Sequence, residues 1–232
     1  MALPNIVTPE FITQIPSTGQ EINYRPFLVK EEKILLMALE GQDSKEIQNA
    51  VLKILSNCIS TDIDVNKLSV FDIEYLFLQL RGKSVGEVIE LKVGHEQADC
   101  NYKTDVKLKI DDIKVVGEKL DPKIMLTDDV GVVLRYPNIN DFTKSMISED
   151  SESLFNVINS CIEYVFDTDE VYNDFSPKEI SEWVNSLNQT QFQKIVDFFQ
   201  SSPKLEHDVT WTCEKCGETE TIKLEGLQSF FT

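Results

Sequence analysis

Histidine is nearly absent from this sequence, with two in 232 residues. Ser–His–Asp or Cys–His catalysis would have only His95 and His207 as its base, and neither sits beside a recognisable nucleophile. Basic residues are also scarce: 22 Lys and Arg stand against 40 Asp and Glu, a formal net charge of −18. That balance repels phosphate backbones and argues against nucleic-acid binding. It favours solubility, or an acidic face that waits for a basic partner. No apolar run approaches the ~20 residues needed to span a bilayer. The start, Met1-Ala-Leu-Pro-Asn-Ile, lacks the basic flank and apolar stretch of a secretory signal, so a soluble protein of a reducing cytoplasm is expected. Five cysteines at uneven spacing make a poor disulfide framework. A phosphate loop is missing too. Arg81-Gly-Lys-Ser84 has the ending of one, but the upstream glycine is absent and a helical pattern precedes it. The pairs Asp111-Asp112 and Asp128-Asp129 fall in expected turns, where aspartate serves local hydrogen bonding. No enzyme is expected.

What is present is enough apolar residue, 41%, to bury a core. Residues 10–23 pattern as a hairpin around Ser17-Thr-Gly-Gln, with Arg25-Pro26 breaking the second strand. Leu28, Ile34, Leu35, Ala38 and Leu39 share a helical face that ends at Gly41. Asp43 and Glu46 have capping-box spacing before the stripe Ile47, Val51, Ile54, Leu55 and Cys58. A third helix opens near Ser69. Period two then takes over at Val88–Val93 and Val106–Ile110, with Val130–Leu134 as a further strand. Residues 153–166 read as one helix, Ser176-Pro-Lys-Glu179 as a capping box opening another, and Thr190–Gln200 as a third. The expected fold is α+β: an N-terminal hairpin and helices (residues 1–84), a central antiparallel β section (85–136), and a second helical group closed by a C-terminal β-hairpin (137–232). These sections are expected to pack as one compact unit.

Thr212-Cys-Glu-Lys-Cys-Gly217 is the one local motif with chemistry in it. Two thiolates two residues apart in a tight turn can share one Zn²⁺, and strand-like residues on both sides fit a zinc knuckle better than a thioredoxin-type motif. A knuckle supplies two ligands of four. Val106 and Leu108 follow Cys100 at +6 and +8, as Ile222 and Leu224 follow Cys216, so His95 and Cys100 are candidates for the second half. His207, six residues before Cys213, is the spare ligand. The alternative is a pair of reduced cysteines in a hairpin turn, with both histidines on the surface. A zinc in such a closed site would be structural. Cys58 and Cys161 fall in helical stripes and read as core. Leu227, Phe230 and Phe231 form an apolar tail that either folds back on the core or anchors a partner.

Three stretches, in this order, resemble the baseplate hub family of T-even-type contractile-tailed bacteriophages. The first is Pro16-Ser-Thr-Gly19 leading into Tyr24-Arg-Pro-Phe-Leu-Val-Lys-Glu-Glu32. The second is Phe71-Asp-Ile-Glu-Tyr-Leu-Phe-Leu-Gln-Leu-Arg81 with Lys83-Ser-Val-Gly86, and the third is Phe198-Phe199, Pro203-Lys-Leu205 and Leu224-Glu-Gly-Leu-Gln-Ser-Phe-Phe231. The resemblance implies a non-enzymatic protein that binds other hub proteins or the tape-measure protein. It would work in the host cytoplasm during assembly and, if retained, in the virion tail baseplate. Two rivals stand beside it: a transient chaperone for a tape-measure or hub protein, absent from the virion, and a zinc-ribbon regulator associated with nucleic acid.

Overall fold

A computed structural model describes residues 6–41, 43–94, 100, 102–141, 151–226 and 229. In chain order the elements are β1 (Phe11–Gln14), β2 (Glu21–Tyr24), α1 (Val29–Gly41), α2 (Ser44–Cys58), α3 (Val70–Ser84), β3 (Val88–Val93), β4 (Thr104–Lys109), β5 (Lys114–Val116), β6 (Lys123–Met125) and β7 (Gly131–Leu134). They continue with α4 (Ser151–Ser160), β8 (Ile162–Phe166), β9 (Val171–Tyr172), α5 (Pro177–Asn185), α6 (Gln189–Gln200), β10 (Lys204–Thr212) and β11 (Thr219–Glu225). Among the described residues every strand pairing is antiparallel, and the class is α+β.

Local chemistry sets most of these ends. Gly19 sits at φ 74° in the turn between β1 and β2. Asp43 caps α2 by accepting the amides of Lys45 and Glu46. Ser176 and Glu179 form the expected capping box on α5, with Pro177 in its first turn, and Asn188 with Gln191 forms another on α6. Gly41 is the last residue of α1 rather than the one beyond it. The single helix expected over residues 153–166 is corrected: α4 stops at Ser160 and the chain runs straight into β8. The helical stripe is genuine to that point. Beyond it, pairing with β7 (Val132↔Val165, Leu134↔Ile162) buries Ile162 and Val165 and outweighs local preference.

The chain divides into two compact units, Met1–Val65 with Phe71–Val116 and Lys204–Thr232, and Asn66–Val70 with Gly117–Pro203. In the first unit, β3 and β4 form one hairpin, and β11-β10-β5 a second sheet. The inward residues Ile89, Leu91 and Val93 of β3 share a core with Leu205, Val209 and Trp211 of β10, with Leu224 of β11 and with Leu78 of α3. In the second unit the sheet order is β6-β7-β8-β9. Its Val132, Leu134 and Val165 pack with Ile158, Ile180, Val184, Ile195 and Phe198 from the three helices.

One arrangement of side chains occurs in both units. Arg25 follows β2; its amide donates to Cys58 O and its guanidinium to Pro26 O, Asn57 O and Glu31. Arg135 follows β7; its amide donates to Cys161 O and its guanidinium to Tyr136 O, Ser160 O and Asp141. Each carboxylate lies six residues after its arginine and accepts a backbone amide, Leu28 N in one case and Asn138 N in the other. The residue before each arginine pairs with the chain just past the cysteine, Tyr24↔Ile59 and Leu134↔Ile162. Burial pushes the Cys58 thiol up to about 11 and Cys161 up to about 12, which makes both inert core groups.

Glu31 has no exposed surface. Burial alone would raise its carboxyl, but the Leu28 amide and the Arg25 guanidinium outweigh that and hold it below the ordinary carboxylate range. A depressed folded-state value contributes stability above the unfolded carboxylate value, which is lost as pH falls through the folded one. Arg25→Ala should therefore cost about 3 kcal/mol in urea unfolding at neutral pH. The gap from wild type should narrow as acid protonates Glu31. In the second unit, a Cβ on Gly131 would collide with Phe166 Cζ and lie 2.9 Å from Ile124 O. Gly131→Ala should cost about 1–3 kcal/mol by overpacking. A double-mutant cycle with Phe166→Ala should recover part of that loss.

Candidate metal centre

The register of β10 on β11 runs from Glu206↔Glu225 to Thr212↔Thr219. On the outer face it is reinforced by hydroxyl pairs, Thr210 with Thr221 at 2.9 Å and Thr212 with Thr219 at 3.0 Å. The strands are joined by the Cys213–Glu218 turn, which is closed by Gly217 N to Cys213 O (2.9 Å) and Cys213 N to Glu218 O (2.8 Å). Gly217 adopts φ 77°, a conformation that favours glycine. The turn leaves Cys213 buried and Cys216 exposed.

Cys100, in the connection between β3 and β4, is also buried. Its sulfur lies 3.7 Å from Cys213 Sγ, and all three sulfurs of Cys100, Cys213 and Cys216 fall within 4.8 Å of one another. A disulfide would bring two sulfurs to about 2.05 Å. Zn–S bonds of about 2.3 Å in tetrahedral geometry set them about 3.8 Å apart. The observed spacing matches the second. Two contacts hold the segment after Cys100 to the cysteine turn: Tyr102 Oη donates to Glu214 Oε2 at 2.9 Å, and Glu214 N donates to Thr104 Oγ1 at 3.4 Å.

The electrostatics suit a cation. The Glu218 amide lowers the Cys216 thiol, but some desolvation and the adjacent Cys213 and Cys100 thiols outweigh it, and Cys216 ends above the ordinary thiol range. Thiols this close oppose one another's ionisation, and a bound divalent ion reverses that sign. A soft, compact set of thiols is one that zinc takes readily.

Among the candidate ligands, the fold brings Cys100, Cys213 and Cys216 together. It does not bring His207 to them. That residue lies on β10 opposite Leu224, six extended residues from Cys213, a distance of about 20 Å along the strand. His95, and the tail residues Leu227, Phe230 and Phe231, lie outside the described residues. The spacing echo has a structural basis: Val106, Leu108, Ile222 and Leu224 all contribute to the core beneath the thiols. Tyr102, Thr104 and Glu214 carried no signal in the sequence, because their roles exist only once two hairpins meet.

Among the described residues, no helix is long and apolar enough to cross a membrane. No curated protein and no solved structure matches the chain. A family model described as T4 bacteriophage base plate protein matches residues 8–232. The match spans all three stretches that carried the resemblance, both units and the three clustered cysteines, and the chain therefore belongs to the T4 bacteriophage base plate protein family.

Proposed function

We propose that this protein is a structural or assembly component of the baseplate hub, acting without catalysis through contacts with other hub proteins or the tape-measure protein. The observation that carries the reading is the family match across nearly the whole chain, residues 8–232. The order of the three stretches that resemble the hub family, and a strongly acidic surface suited to basic partners, support it further. The protein meets these partners in the host cytoplasm during assembly and stays in the virion tail baseplate. Quantitative mass spectrometry of purified particles against infected-cell lysate checks this, with a fixed few copies per virion expected. Abundance in lysate with none in particles would replace the structural role with that of a transient chaperone.

Cys100, Cys213 and Cys216 hold a structural zinc in this reading, with His95 as the candidate fourth ligand. The 3.7 Å sulfur separation and the burial of two of the thiols support a thiolate metal site at this position. Protein prepared without a histidine tag should carry about one zinc per chain. Cys213→Ser should abolish loading, and Co²⁺ substitution should give the visible absorption of a tetrahedral thiolate site. Metal content well below one per chain would remove the zinc from this account.

A further inference from the structure

The two units share the arginine arrangement but diverge in the chain beyond it. Past the first clamp, ten residues lead from Cys58 to Ser69 and α3 through a short 3-10 turn at Val65–Lys67. In the second, the chain inserts β9 and α5 between β8 and α6. That added segment supplies six of the ten residues lining a cavity of about 420 Å³, a volume within the ~300–1,000 Å³ of ligand-receiving sites. Its floor is apolar, made by Val165 of β8 with Phe175, Ile180 and Trp183. Its rim is acidic, carrying Asp167, Asp174 and Glu179. Beside it, β9 ends the sheet order, with Val171 60% and Tyr172 46% exposed.

We propose that this groove between β9 and α5 is a docking site for a basic segment of a partner protein, one that inserts a large apolar side chain and flanks it with Lys or Arg. Charge complementarity selects that occupant. The Asp167 carboxylate accepts the amides of Asp169 and Glu170, both at 2.8 Å, and the Tyr172 hydroxyl at 2.9 Å. Glu179 accepts the Ser176 hydroxyl and amide. These bonds orient the two carboxylates without neutralising them. Among the described residues no ion pair engages Asp167, Asp174 or Glu179; the nearby Lys178 is turned to Glu182 at 3.7 Å. A second copy of this chain, at net charge −18, would bring acid against acid. The edge of β9 also offers backbone groups to an extended peptide, which a compact ligand would leave unused.

The inference rests on the reading that the protein works through protein contacts, and it is tested on the isolated full chain. Its failure would therefore remove the groove and leave the baseplate role standing. The probe is a dye-labelled peptide, Lys-Leu-Lys-Phe-Lys-Leu-Lys, compared by fluorescence polarisation with its twin carrying Glu for Lys. Saturable one-to-one binding of the basic peptide alone is expected, weakening with salt. Asp174→Lys should reduce affinity at least tenfold. Asp105→Lys, on β4 of the other unit, makes the same change in net charge and should have little effect. Absence of binding, equal binding of the acidic twin, or equal losses in the two variants would overturn the proposal.

Discussion

A partly exposed arginine clamped on a buried carboxylate organises each half of this molecule. Arg25 and Arg135 each stand at the end of a strand, satisfy carbonyls at the C-terminus of a helix, and hold an acid six residues ahead. The arrangement joins strand end, helix start and helix end at one point, where each would otherwise leave polar groups unsatisfied. Both carboxylates are almost wholly buried, and backbone amides complete their hydrogen bonding. A charge pair of this kind adds little over an apolar substitute but imposes a single geometry, since half of it left alone in the interior is costly. Its recurrence shows one local solution used twice within a single chain.

The thiol cluster depends on a different constraint. A two-stranded hairpin is marginal by itself in water. The β3–β4 hairpin and the β10–β11 hairpin therefore cover each other's apolar faces, through Ile89, Leu91 and Val93 on one side and Val209 and Trp211 on the other. Cys100 and Cys213 stand 113 residues apart in the chain and 3.7 Å apart in space, both within that shared core. The closure draws the C-terminal residues into the unit that also contains the N-terminal hairpin.

Membership of the baseplate family gives these features a setting. The second unit carries more than its shared scaffold requires. Its added strand and helix expose an apolar floor within an acidic rim, whereas the first unit spends its extra strands on the hairpin core.

By itself the sequence determined the α+β class, the α2 cap at Asp43, the capping box on α5 and the knuckle spacing of Cys213 and Cys216, because each rests on contacts within a few residues. It also carried the family, through stretches whose order along the chain is specific. The short strands β5, β6 and β9 were not legible, since two or three residues hold no measurable period. The end of α4 at Ser160 was not legible either, because the helical stripe continues in the sequence and only pairing with β7 makes β8 a strand. His207 has the right chemistry and a short sequence distance, but an extended strand carries it away from the thiols. Tertiary structure alone decided that Cys100 joins Cys213 and Cys216, that Arg25 and Arg135 play equivalent parts, and that the first unit is assembled from separated segments. Those outcomes depend on which apolar faces cover one another, a property of the folded chain that no local pattern encodes.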